Sequence, residues 1–136
     1  MQTNVMFEYA TRNKIRFAST RGELSVEQVW DVPLRSKDGF DLDAIAKTAS
    51  KSLKALTEES FVSTERTPAH ERAEITLECV KFVIGVKLAE EATAKKRAEN
   101  RAEKERLLRI LADKQEGKLS ALSEKEIQRR INALDA

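Results

Sequence analysis

Few side chains in this sequence are of the types that carry out acid–base, nucleophilic or metal chemistry. The chain has one histidine, His70, and one cysteine, Cys79. A catalytic site needs acid, base and nucleophile groups to converge, and a zinc site needs several clustered ligands. No glycine-rich phosphate loop or nucleophile elbow occurs. We therefore predict no catalytic residue, no metal, no cofactor and no enzymatic activity.

Four basic residues near the N-terminus could instead contact phosphate. Arg12, Lys14, Arg16 and Arg21 occur between residues 10 and 21, where there is no acidic residue. Residues 13–18 alternate between polar and apolar, which is the period of a half-buried strand. A basic strand could lie along a nucleic-acid backbone. The alternative is a solvated face, which the lack of any recognised nucleic-acid-binding motif favours.

A second basic segment lies in the charged stretch 90–106, where six basic and five acidic residues occur among seventeen. Because the acids are interspersed, the pattern favours a solvated helix with pairs such as Glu91–Lys95 and Arg101–Glu105. The net charge of +2 also argues against a general polyanion binder. The cations in and next to this stretch are Lys95, Lys96, Arg97, Arg101, Lys104, Arg106 and Arg109.

The elements that position these residues centre on a long helix predicted from Pro68 to Gly117. Pro68 suits a first helical turn after the cap Thr67, and Gly117 suits a helix end. A helix of about fifty residues reaches about 75 Å, whereas a compact chain of this length measures about 35–40 Å across. The helix must therefore break, project from the body or pack on a partner. Gly85 favours either a kink or the close approach of another helix.

The long helix changes character along its length. Apolar residues surround much of the helix between Ala73 and Leu88, alanine is the only apolar type in 90–106, and leucines return at 107–111. A leucine cluster so far from the core must be covered by the final helix or by a partner. The predicted self-association or partner surface is Val80, Val83, Ile84, Leu88, Leu107, Leu108 and Leu111.

The remaining elements form a small N-terminal body and a last helix. A hairpin is predicted around Arg21-Gly22, and a short helix follows the capping box Ser25–Gln28. An amphipathic helix over 42–57 is capped by Asp41, and residues 57–68 form a connector that Phe61 and Val62 attach to the core. The predicted organisation is an α+β body over 1–66, the long helix over 67–117 and a short helix over 118–136, which is mainly α with a small β-hairpin.

The sequence shows no apolar stretch long enough to span a bilayer and no signal-peptide pattern at its start. We therefore expect no membrane partner and a cytoplasmic location.

The segments Met6–Phe17 and Leu24–Leu34, followed by Glu58-Glu59-Ser60-Phe61, resemble a group of small bacteriophage proteins with a coil-containing C-terminal half. The group is mostly uncharacterised. The resemblance implies a phage origin and a location in the host cytoplasm, and it implies no activity or site residues.

The function that these features favour is a non-enzymatic phage accessory or assembly protein that acts by helix-mediated self-association and protein–protein interaction. The expected state is a homo-oligomer, with a phage or host protein as a further partner. Two alternatives stay open. One is a nucleic-acid-binding accessory protein that uses the basic N-terminal strand, and the other is an inhibitor of a host or defence protein.

Overall fold

The chain is mainly α-helical with one small β-hairpin, as the sequence predicted, in a computed structural model that describes residues 2–58 and 67–135. It divides into two compact units, Met1–Glu91 and Ala92–Ala136. The predicted contacts of Phe61 and Val62 lie outside the described residues. The elements in chain order are α1 (Thr3–Arg12), β1 (Phe17–Ser19), β2 (Gly22–Leu24), α2 (Val26–Val29), α3 (Leu42–Glu58), α4 (Pro68–Ser120) and α5 (Glu124–Asp135).

The first unit begins with a helix that the sequence analysis missed. Helix α1 ends with the Schellman arrangement, in which the Ile15 amide donates to Ala10 O at 3.0 Å and the Lys14 amide donates to Thr11 O at 3.3 Å. Lys14 therefore adopts a left-handed φ of 51°. This helix end replaces the first half of the predicted strand, which begins at Phe17 rather than at residue 13.

Helix α2 is only four residues long and is held at both ends. Ser25 Oγ accepts from the Gln28 amide at 3.3 Å, and Gln28 Oε1 accepts from the Ser25 amide at 2.8 Å, which is the predicted capping box. At the other end, the Lys87 ammonium donates to Trp30 O at 3.0 Å and also to Val32 O. A basic group is favourable at the C-terminal end of a helix because of the exposed carbonyls there.

The two long helices of this unit begin at their predicted caps. Asp41 Oδ1 accepts from the Ala44 amide at 2.8 Å, and Thr67 Oγ1 accepts from the His70 amide at 3.1 Å. Helix α4 runs without a break through Gly85, where an added Cβ would meet no atom within 4 Å, so no described helix packs closely at that point. The predicted helix end at Gly117 is wrong by three residues, because α4 continues to Ser120.

The core of the first unit collects side chains from the hairpin and from all four of its helices. Phe17, Ile15, Leu42, Val80 and Ile75 are among the largest fully buried side chains. Phe82 of α4 makes edge-on contacts with two rings, at centroid distances of 5.4 Å to Phe7 and 6.3 Å to Trp30. These contacts add to the hydrophobic burial that stabilises the unit, and Trp30 is half-buried against the core.

The second unit consists of the C-terminal part of α4 and helix α5. Ser123 Oγ accepts from the Glu126 amide at 3.3 Å and caps α5. None of the described residues from 92 to 135 is buried, and Leu122 alone among them is half-buried. Among the described helices of the whole chain, none combines the length and apolar character that a membrane span requires.

The left-handed backbone at Lys14 gives a first test. Replacing Lys14 with glycine removes the steric cost of a positive φ, so the free energy of unfolding should rise by about 0.5–1 kcal/mol. Lys14→Ala, which keeps a Cβ, is the matched control and should give no gain. Urea titration followed by Trp30 fluorescence measures both. Equal stabilities for the two variants would contradict the Schellman assignment.

Candidate interaction surfaces

The four basic residues predicted to contact nucleic acid do not share one strand. Arg12 ends α1 and pairs with Glu8 at 3.0 Å, and Lys14 occupies the left-handed position after that helix. Arg16 precedes β1 and donates to Ile15 O at 3.0 Å. Arg21 lies in the hairpin turn, where it pairs with an aspartate. The strand geometry that motivated the nucleic-acid hypothesis is therefore not formed.

The environment of Arg21 further reduces its availability to phosphate. Its guanidinium pairs with Asp38 at 3.1 Å and lies 4.3 Å from the centroid of the Phe40 ring. Asp38 also accepts hydrogen bonds from Ser36 and from the Phe40 amide. The Ser36 hydroxyl, the Phe40 amide and Arg21 together lower the pKa of the Asp38 carboxyl. This carboxylate stays charged near neutral pH and competes with any anionic ligand for Arg21.

A groove of about 250 Å³ lies between β1, α3 and the start of α4, and its lining includes Arg16 and Arg72 but no acidic residue. Arg72 donates to Asn13 O at 2.8 Å and to Lys14 O at 3.3 Å. The hydroxyls of Thr48 and Thr76, which also line the groove, donate to carbonyls of their own helices. Arg72 therefore binds the backbone that follows α1, and the two threonines bind carbonyls within their own helices. These hydrogen bonds stabilise the fold.

The single histidine and the single cysteine of the sequence both lie on α4 in the first unit. His70 is half-buried, with Nε2 at 3.2 Å from Thr57 Oγ1 and Nδ1 at 3.9 Å from a Glu74 carboxylate oxygen. Cys79 is 1% exposed in the core. Burial raises the pKa of the Cys79 thiol to about 11. Among the described residues, no three His, Cys, Asp or Glu side chains cluster as metal ligands would.

The predicted association surface separates into buried and exposed residues. Val80 and Val83 are 0% and 1% exposed inside the core of the first unit, so this chain covers them and they are not available to a partner. Ile84 is half-buried, and Leu88 is 42% exposed. Leu107, Leu108 and Leu111, which belong to the second unit, are between 52% and 53% exposed.

The second unit exposes more apolar residues than the sequence analysis assigned to the surface. They are the three leucines just named together with Ile110, Leu119, Ile127, Ile131 and Leu134, all at least 39% exposed. We call these eight residues the distal apolar surface. Helix α5 does not bury the leucines of α4, so the fold-back that the sequence left open does not cover them. Ile110 could have been added from the sequence, because it lies between Leu108 and Leu111 in the predicted helix, whereas Leu119 lies beyond the helix end predicted at Gly117.

The ion pairs of α4 also differ from those expected. Glu91 pairs with Arg35 at 3.0 Å rather than with Lys95. Glu103 pairs with Arg106 at 2.8 Å, which lowers the pKa of the Glu103 carboxyl, and the predicted Arg101–Glu105 pair does not occur among the described contacts. All of these side chains are exposed, so the pairs add little stability.

No protein family model, no curated protein and no solved structure matches the chain.

The contrast between buried and exposed apolar residues of α4 can be measured. Val80→Ala should lower the free energy of unfolding of the first unit by about 2–3 kcal/mol, because it leaves a cavity in a packed core. Leu88→Ala, on the same helix but 42% exposed, should change it by less than about 1 kcal/mol. Urea unfolding followed by Trp30 fluorescence reports both. A similar loss for the two variants would mean that Leu88 is also a core residue.

The thiol of Cys79 gives a further test. Iodoacetamide reacts with the thiolate form of cysteine. Because the pKa of Cys79 is about 11 rather than the ordinary 9.0, the folded chain contains much less thiolate at pH 8 than the unfolded chain. We expect alkylation at least a hundredfold slower in the folded chain than in urea. Because the unfolded thiol ionises first, stability should also fall as the pH rises from about 9 to about 11. Equally fast alkylation in both states would contradict the burial of Cys79.

Proposed function

We propose that the chain is a non-enzymatic interaction protein that associates with another protein chain through the distal apolar surface. The observation that supports the proposal is the exposure of eight large aliphatic side chains within one small unit, none of whose residues from 92 to 135 is buried. Large apolar patches on a protein surface are typical of protein–protein association.

The helical scaffold suits this role. Helix α4 presents Leu107, Leu108 and Leu111 at spacings of one and three residues, and α5 presents Ile127, Ile131 and Leu134 at spacings of four and three. These spacings place each set on one side of its helix. Helices of this pattern bind by laying the apolar side against an apolar groove or against another helix. A second copy and a different protein are both occupants that such a surface accepts.

The proposal concerns the second unit alone. In the first unit, Val80 and Val83 of α4 are buried in the chain's own core, and the basic residues near the N-terminus are divided between the end of α1 and the hairpin. Those features favour a structural role for the first unit over the basic-strand hypothesis.

Site-specific cross-linking tests the proposal. A photo-reactive amino acid at Leu111 should form cross-links to another protein chain in cells that naturally express this one. The matched control is the same amino acid at Asp113, which is exposed on the opposite side of α4. Cross-links at 111 that are at least fivefold more abundant than those at 113 support the proposal. No cross-link at 111, or equal yields at both positions, would overturn it.

A further inference from the structure

The charged residues of α4 between 92 and 120 separate onto two sides of the helix. At about 100° per residue, six cations and four leucines fall within an arc of about 140°. This arc contains no acidic residue, and we call it the basic–leucine face. Its members are Lys96, Arg97, Arg101, Lys104, Lys114 and Lys118, with Leu107, Leu108, Leu111 and Leu119. The acids of the same stretch lie on the other side, and they are Glu99, Glu103, Glu105, Asp113 and Glu116.

The cations of the basic–leucine face are free to meet a ligand. All six are exposed, and none of them forms an ion pair within the described parts of the chain. On the opposite side, by contrast, Arg106 is already bound to Glu103 at 2.8 Å. The positive charge of α4 is therefore concentrated on the same side as its exposed leucines.

This charge pattern disfavours a second copy as the occupant of the face. In a parallel pair of α4 helices, Arg97, Arg101 and Lys104 would each face the same residue of the other copy. In an antiparallel pair centred on the leucines, Arg101 would face Lys118. Like charges brought together in either orientation oppose association, and the face contains no acid to relieve them.

The leucines distinguish the remaining polyanionic occupants. A nucleic-acid backbone would contact the cations but would gain nothing from the four leucines of the face, and residues 92–136 contain no aromatic side chain on which a base could stack. A helix that lies in an anionic membrane surface carries its cations on a polar face, apart from the apolar face that enters the lipid. Here Lys104 and Lys118 instead lie between Leu107 and Leu108 around the helix. An acidic protein with an apolar groove or helix face would use the cations and the leucines together.

We infer that the partner of the basic–leucine face is an acidic amphipathic helix or groove on another protein. This inference rests on the proposed association through the distal apolar surface and adds the charge of the partner. Leu107, Leu108 and Leu111 supply apolar contact, and the six cations select an occupant that carries carboxylates at its rim.

The experiment uses the full chain and two synthetic helical peptides with leucine at heptad positions a and d. One peptide carries glutamate at e and g, and the other carries lysine there. Fluorescence anisotropy should show binding of the glutamate peptide at least tenfold tighter than that of the lysine peptide, with the difference shrinking at high salt. The triple variant Arg97→Glu, Arg101→Glu, Lys104→Glu should lose this preference.

The matched control is Lys95→Glu, Arg106→Glu, Arg109→Glu, which makes the same change in net charge on the opposite side of α4. It should bind the glutamate peptide within twofold of the unchanged chain. An equal loss in both triple variants would overturn the inference, as would tighter binding of a duplex DNA or of phosphatidylserine vesicles than of the glutamate peptide. A homodimer of the unchanged chain that Leu111→Asp dissociates would also overturn it.

Failure of the inference and failure of the proposed function are distinguishable. Suppose that both peptides bind equally and that Leu107→Ser and Leu111→Ser together abolish the binding. That result would support the apolar association and reject selection by charge. Suppose instead that the chain prefers the glutamate peptide and that the two serine substitutions leave this binding unchanged. That result would reject association through the apolar surface and support selection by charge.

Discussion

One stripe of α4 organises the first unit. Ile75, Cys79, Val80 and Val83 lie on one side of the helix and are at most 1% exposed against the other buried elements. The hairpin has two strands of three residues each, which is too little to be stable without a covering surface. Helix α3, which contacts β1, and this buried stripe together supply that surface, so the small strands and the short α2 depend on hydrophobic contact with two helices that follow them in the sequence.

The contrast between the two parts of α4 has a compositional origin. The stretch through Leu88 contains β-branched and aromatic side chains that fill a packed core, whereas the stretch from 92 onward contains alanine, charged residues and leucine. Alanine and long charged side chains favour helix by local propensity and need no tertiary burial. The second part can therefore be helical while every large apolar side chain on it stays exposed, which is the condition under which these side chains are available to another molecule.

Short sequence patterns for helix caps and strands predicted much of this fold. They failed where the backbone adopts a conformation that these patterns do not indicate. The caps at Ser25, Asp41 and Thr67 were readable because each places a side-chain oxygen three residues before an amide that it accepts from. The alternation at residues 13–18 predicted too long a strand, because residues 13–16 form the end of α1 and its link to β1. The left-handed backbone at Lys14, where glycine is usual, gave no sequence signal. Gly117 was read as a helix end, although glycine also occurs inside helices at a modest cost.

The candidate site shows a similar division. Exposure of Leu107, Leu108 and Leu111 followed from their distance along the helix from the core, but Val80 and Val83 carry the same apolar signal and only the tertiary structure assigns them to the interior. The six cations of the basic–leucine face and the acids of the same stretch lie on different sides of α4, but they alternate along the sequence, as Arg101 and Glu103 do. The sequence order alone therefore did not indicate the separation. It becomes visible once the stretch is known to be one uninterrupted helix, since the angle between any two residues is then fixed.

The contact of Lys87 with the end of α2 also constrains how the chain is made. Its ammonium reaches Trp30 O across 57 positions of sequence, and Phe82 meets the same tryptophan from the same helix. A ribosome that has released only the first half of the chain has delivered the hairpin, α2 and α3 without the surface that they cover. The N-terminal half therefore stays incompletely folded during synthesis, and its native packing is completed only after residues up to about Lys87 have left the exit tunnel.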